Sequence, residues 1–139
     1  MKVTNGEIYA TRDPIIGDPL GRLMAEKWPV RISLALVKLA QKINEEHKAI
    51  IEVRNDLIKK YGEIDETTKQ PTIKAISPNW PEFAKEHDEL MKMEADIDVT
   101  PIKLPEMVAA TCDKCNHNMD RQCVIEPSIL FILAKFLEV

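Results

Sequence analysis

The chain has 139 residues, a formal net charge of −4, and is 45% hydrophobic and 30% charged. Those values fit one soluble globular domain and exclude an intrinsically disordered chain. No stretch approaches the roughly 18 consecutive apolar residues of a membrane-spanning helix, and Met1-Lys2-Val3-Thr4 does not begin a basic-then-apolar leader, so a cytosolic protein with no membrane partner is expected.

Thr4 and Glu7 are spaced as a capping box ahead of Ile8 and Tyr9, which predicts a first short helix. Pro14, Gly17 and Pro19 interrupt the helical pattern, and a second short helix is expected over Leu20 to Lys27 with Leu23 and Met24 inward. The longest element then runs from Pro29 to Tyr61. Ile32, Leu36, Leu39, Ile43, Ile50, Val53 and Leu57 follow heptad steps, broken only at Glu46, and the helix is expected to end at Lys59-Lys60-Tyr61-Gly62 with Gly62 as a left-handed cap. A helix of this length needs a partner along its side, in this chain or another.

Residues 63–78 are polar, contain Pro71 and Pro78, and read as a loop. Asn79-Trp80-Pro81-Glu82 starts a helix expected to reach about Ala95, with Phe83, His87 and Leu90 on one side. Alternation over Asp96 to Thr100, continuing at Ile102 to Leu104, predicts an edge or bent strand, and Met107 to Ala110 and Gln122 to Ile125 predict a further pair. Residues 127–138 read as a C-terminal helix that is apolar nearly all round, through Phe131 and Phe136, and therefore buried centrally or covered by another subunit.

The expected fold is thus mainly α with a small β element, in a single domain over 1–139. A helical part occupies 1–95, a small β element with a Cys-rich loop 96–125, and an apolar helix 127–138. The long helix is packed by shorter helices, and a short antiparallel hairpin carries the Cys-rich loop.

All three cysteines lie in Cys112-Asp113-Lys114-Cys115-Asn116-His117-Asn118-Met119-Asp120-Arg121-Gln122-Cys123. Cys-x-x-Cys turns two thiolates toward one ion, and His117 with Cys123 can complete a tetrahedral set, so a structural zinc is the leading expectation. His47 or His87 is an alternative fourth ligand. A metal-free reduced loop and a redox pair remain open. No Gly-rich phosphate loop, Gly-x-Ser-x-Gly or His-Glu-x-x-His motif is present.

Charge is unevenly distributed. Residues 21–60 carry nine Lys and Arg against five acids, whereas residues 61–100 carry four against ten. Two solvated faces that attract one another as helices pack antiparallel explain this most simply. A nucleic-acid face through Lys38, Lys42, Lys48 and Lys60 is the competing explanation. Trp28 and Trp80 each precede a proline at a helix start, where they act as hydrophobic staples or as anchors for a partner.

Met1-Lys2-Val3-Thr4-Asn5-Gly6-Glu7-Ile8-Tyr9, Pro29-Val30-Arg31-Ile32-Ser33, Arg54-Asn55-Asp56-Leu57-Ile58-Lys59-Lys60-Tyr61-Gly62 and Ile125-Glu126-Pro127-Ser128-Ile129-Leu130 together resemble a family of small, uncharacterised tailed-phage and prophage proteins. The Cys segment departs from that pattern as an insertion would. The resemblance implies a phage origin, in the host cytoplasm or the virion, and carries no activity.

These features favour a non-enzymatic protein that binds a protein partner or itself, in virion assembly or against a host target. Trp28, Ile50, Trp80, Phe131 and Phe136 are its candidate contacts. A zinc-stapled nucleic-acid regulator and a small metalloenzyme on Cys112, Cys115, His117 and Cys123 are the alternatives.

Overall fold

The computed structural model describes residues 1–105, 107–111, 118–122 and 125–138, with 107–111 and 118–122 described by their backbone. In chain order the elements are β1 (Lys2–Thr4), α1 (Asn5–Thr11), a 3-10 turn (Pro14–Ile16), α2 (Pro19–Ala25), α3 (Val30–Tyr61), β2 (Glu63–Ile64), β3 (Pro71–Thr72), α4 (Trp80–Lys92), β4 (Glu94–Asp96), β5 (Ile102–Lys103), β6 (Met107–Thr111), β7 (Asn118–Gln122), α5 (Pro127–Ile132) and β8 (Leu137–Glu138). The fold is α+β, dominated by the 32-residue α3 and accompanied by small paired strands.

The capping box forms as its spacing predicts. Thr4 Oγ1 accepts from the Glu7 N–H at 3.2 Å, and Glu7 Oε2 accepts from the Thr4 N–H at 2.9 Å. Lys135 Nζ lies 2.8 Å from Glu7 Oε1, which ties the end of the described chain to the start of α1.

One core unites the five helices with β1, β4, β5 and β8. Val3, Ile8, Leu20, Leu23, Leu36, Ile43, Leu133 and Phe136 are fully buried at its centre. Each such side chain removed from water contributes about 1.5–3 kcal/mol. Within α3 the inward row is Leu36, Leu39, Ala40, Ile43 and Ile50, so the middle of the heptad seam is core. Val53 departs from that row and is exposed.

α1, α3 and α4 pack on one another, and α2 packs on α5. α3 and α4 run antiparallel. Asn79 Nδ2 donates to the Tyr61 carbonyl at 3.2 Å and Lys60 Nζ lies 3.6 Å from Glu86 Oε1, while Asn5 Nδ2 donates to the Leu90 carbonyl at 3.0 Å. Among the described residues the charge asymmetry contributes one solvent-screened pair to this packing, Lys60 with Glu86.

Several boundaries differ from expectation, two of them because a distant strand claims the residues. α4 stops at Lys92, three residues short of Ala95, since Glu94–Asp96 pair antiparallel with β1, Val3 opposite Ala95. The strand expected over 96–100 is displaced accordingly. The C-terminal helix expected over 127–138 ends at Ile132. A turn follows, and Leu137–Glu138 pair parallel with Ile102–Lys103, which lets Leu133, Phe136 and Leu137 all face the core. β6 and β7 form the expected antiparallel hairpin, but β7 begins at Asn118 instead of Gln122.

Residues 63–78, expected as a loop, contain the β2–β3 hairpin. Asp65 organises its turn: Oδ1 accepts from the Thr67 N–H at 2.7 Å and the Thr68 N–H at 3.4 Å. Gly62 is not a left-handed cap but extended, at φ −90° and ψ 178°. A Cβ there would collide with the backbone carbonyl oxygens of both Thr72 and Ile58. Close approach of the hairpin to the end of α3 is what requires glycine.

In β5 the Ile102 N–H donates to the Phe136 carbonyl and the Leu104 N–H to the Glu138 carbonyl, at 2.9 and 3.0 Å. Successive residues of a strand offer their main-chain groups to opposite sides, so those of Lys103 face away from β8. Pro101 and Pro105, on the same side as Lys103, have no N–H to offer.

Candidate interaction surface

The five expected contact residues separate into three kinds. Ile50 and Phe136 are only 3% and 1% exposed and belong to the core, so their role is corrected from partner contacts to packing within the chain. Trp28 is half-buried against the core and its Nε1–H donates to the Leu23 carbonyl at 2.8 Å, which fixes the path from α2 into α3. Trp80 is half-buried with its ring 5.5 Å from that of Phe83. Phe131 is 83% exposed on α5. Cys112, Cys115, His117 and Cys123 lie outside the described residues, and among the described residues no group of three or more His, Cys, Asp or Glu can hold a metal ion.

The region around Glu46 and His47, where the heptad seam breaks, is covered from within. Tyr9 on α1 stacks on His47, with ring centroids 5.7 Å apart and planes 19° apart. Burial, then the Arg12 guanidinium, holds the His47 imidazole below its ordinary value of 6.5, against the opposing pull of Asp18 and Asp13. His87, 5.6 Å from the Phe83 ring, is lowered likewise by burial and Arg54, with Asp88 opposing.

Both shifts have the same consequence for stability. The unfolded chain binds these two protons more readily than the folded one, so stability is constant above pH 6.5 from this source and falls as pH drops through the folded-state values. The denaturant midpoint of the unaltered protein should therefore decline more steeply below pH 6.5 than that of a His47→Gln, His87→Gln double variant. Parallel pH curves for the two proteins would contradict the assignment.

The surface that stands out was not among the expected residues. Val30, Leu34 and Val37 are 86%, 54% and 43% exposed on the first half of α3. Their i, i+4, i+7 spacing sets them in one row. Leu36, Leu39 and Ile43 fill the opposite side of the same helix, so this second row has no place in the core. The signal was present in the sequence: two apolar rows on one helix cannot both face the same core.

Cations border the row. Arg31 and Lys38 lie along one side of it, Lys27 precedes it, and no acid occurs between Glu26 and Glu45. Of the four lysines considered for nucleic acid, two are engaged inside the chain. Lys42 Nζ donates to the Asp98 carbonyl at 2.6 Å, and Lys60 lies between Glu86 and the Tyr61 ring. Among the described residues no helix is long and apolar enough to cross a membrane.

Comparison with protein-family models, curated proteins and solved structures gives no match to this chain. The arrangement of residues must therefore carry the functional argument by itself.

A second apolar surface lies past the other end of α3. The β2–β3 hairpin and the segment leading to α4 enclose an open cleft of about 640 Å³, walled by Ile64, Ile73 and Ile76. Ile64 and Ile76 are 71% and 89% exposed. Glu63, Asp65 and Glu66 line the same cleft, with Lys74 as its one cation among the described residues. Hydrogen bonds from the Thr67 and Thr68 N–H groups hold the Asp65 carboxyl below its ordinary value, so it is ionised at neutral pH.

Proposed function

We propose that this protein acts by binding protein, with the outer face of the first half of α3 as its contact surface. The observation that carries the reading is the exposed row Val30, Leu34 and Val37, set on a rigid helix whose opposite side is locked into the core. Rigid presentation matters because a preordered surface loses little conformational entropy on association. Arg31 and Lys38 beside the row favour a partner surface of negative potential and set its orientation. In the phage setting that the sequence resemblance implies, the partner is a virion component or a host protein.

The reading predicts that, in extract of the cells that naturally produce it, the protein elutes in gel filtration as a complex larger than one chain. A Leu34→Asp, Val37→Asp variant should elute as a single chain while its circular dichroism stays unchanged, since both positions are exposed. Elution of the unaltered protein as a single chain would sink the reading.

A further inference from the structure

The two exposed apolar surfaces are opposite in charge and opposite in place. The row on α3 bears Val30, Leu34 and Val37, with Arg31 and Lys38 along one side of it, and neither cation makes an ion pair among the described residues. The hairpin cleft bears Ile64 and Ile76 among Glu63, Asp65 and Glu66. One surface is a convex helix face and the other a concave cleft. They flank the two ends of the helix, since α3 runs from Val30 to Tyr61 and β2 begins at Glu63. At 1.5 Å per residue, Val37 and Tyr61 are about 36 Å apart along the axis. No single chain can bring the two surfaces together.

Two copies can. We infer that the Val30, Leu34 and Val37 row of one copy seats in the Ile64 and Ile76 cleft of the next, so that copies of this chain associate head to tail. This rests on the protein-binding reading above and names its partner. Charge complementarity selects this arrangement over a symmetric one. A two-fold contact through the α3 row would set Arg31 and Lys38 of both copies against each other, whereas the cleft offers three carboxylates against one cation. A head-to-tail contact leaves a free row at one end and a free cleft at the other, so association continues until the rotation closes a ring or an open filament grows.

Sedimentation velocity on the purified full chain tests this. The weight-average mass should rise with protein concentration at low salt. It should fall back at about 1 M salt, where the Debye length shrinks to about 3 Å. Leu34→Asp blocks the helix surface and Ile64→Lys blocks the cleft, and each variant alone should sediment as a monomer. An equimolar mixture of the two retains one good row and one good cleft, and should give a one-to-one dimer and nothing larger.

Association by Ile64→Lys alone would overturn the proposal in favour of a symmetric contact through α3. A mixture that stays monomeric would overturn it as well. A wild-type protein that is monomeric at every concentration, yet runs in a larger complex in native extract, would remove the head-to-tail proposal and leave the protein-binding reading standing with a different partner. A monomer in both settings would remove both.

Discussion

Phe136→Ala should destabilise the protein by about 3–5 kcal/mol, the usual cost of emptying a buried aromatic site. The side chain is 1% exposed, and its backbone sits between two anchors: the Phe136 N–H donates to Leu133, and the Phe136 carbonyl accepts from Ile102. The cavity would open where α5 leads into the β5–β8 pair. Urea titration should show a lower midpoint with an unchanged slope, the signature of lost stability without a change in unfolded-state compactness. Phe131→Ala is the natural control, since that ring is 83% exposed and its loss should stay within about 0.5 kcal/mol. Equal midpoints for the two alanine variants would show that Phe136 is not core. Together they separate two phenylalanines that the sequence places in the same apolar run.

Gly62→Ala is expected to cost about 1–3 kcal/mol, a large effect for one added methyl. The colliding atoms are the carbonyl oxygens of Thr72 and Ile58, which are main chain and cannot rotate away. The Gly62 N–H also donates to the Ile58 carbonyl at 2.7 Å, so the residue is pinned to the last turn of α3 on one side and pressed by β3 on the other. Relief requires the hairpin to swing off the helix end. Urea titration reads the stability loss, and faster amide exchange over 63–72 should locate it. Unchanged stability and exchange would show that the close approach is not tight. The same displacement reshapes the Ile64 cleft, so Gly62→Ala should weaken the head-to-tail association proposed above without altering any residue that lines the α3 row.

The parts of the fold that could be read from the sequence are those whose causes are local. The Thr4 and Glu7 box, the start at Pro29, the run to Tyr61 and the start of α4 ahead of Pro81 each depend on residues within a turn or two. Most of what escaped depends on partners far along the chain; the β2–β3 hairpin is the local exception, with strands of two residues inside a polar segment. Val3 meets Ala95 and Ile102 meets Leu137, through strands of two or three residues that are too short to show a period. Those pairings end α4 early and cut α5 to six residues. The candidate surface was legible only in part, for a different reason. Heptad spacing picks out one apolar row on α3, and the eye stops there. Val30, Leu34 and Val37 emerge as surface only once Leu36, Leu39 and Ile43 are seen to occupy the opposite side. Ile50 and Phe136 were misassigned because apolar character alone does not separate a core residue from a contact residue.

Among the described residues β5 pairs on one side only, and its other side bears on how this protein can go wrong. Its outward main-chain groups belong to Pro101, Lys103 and Pro105, so an incoming strand finds a single N–H donor, guarded by a charged side chain. Prolines and lysine on an exposed edge are a common defence against strand addition. A chain that stacked through this edge would grow without limit in the manner of amyloid, held by main-chain hydrogen bonds. With that route blunted, any contact between copies at this end of the molecule would fall to side chains, which can let go again.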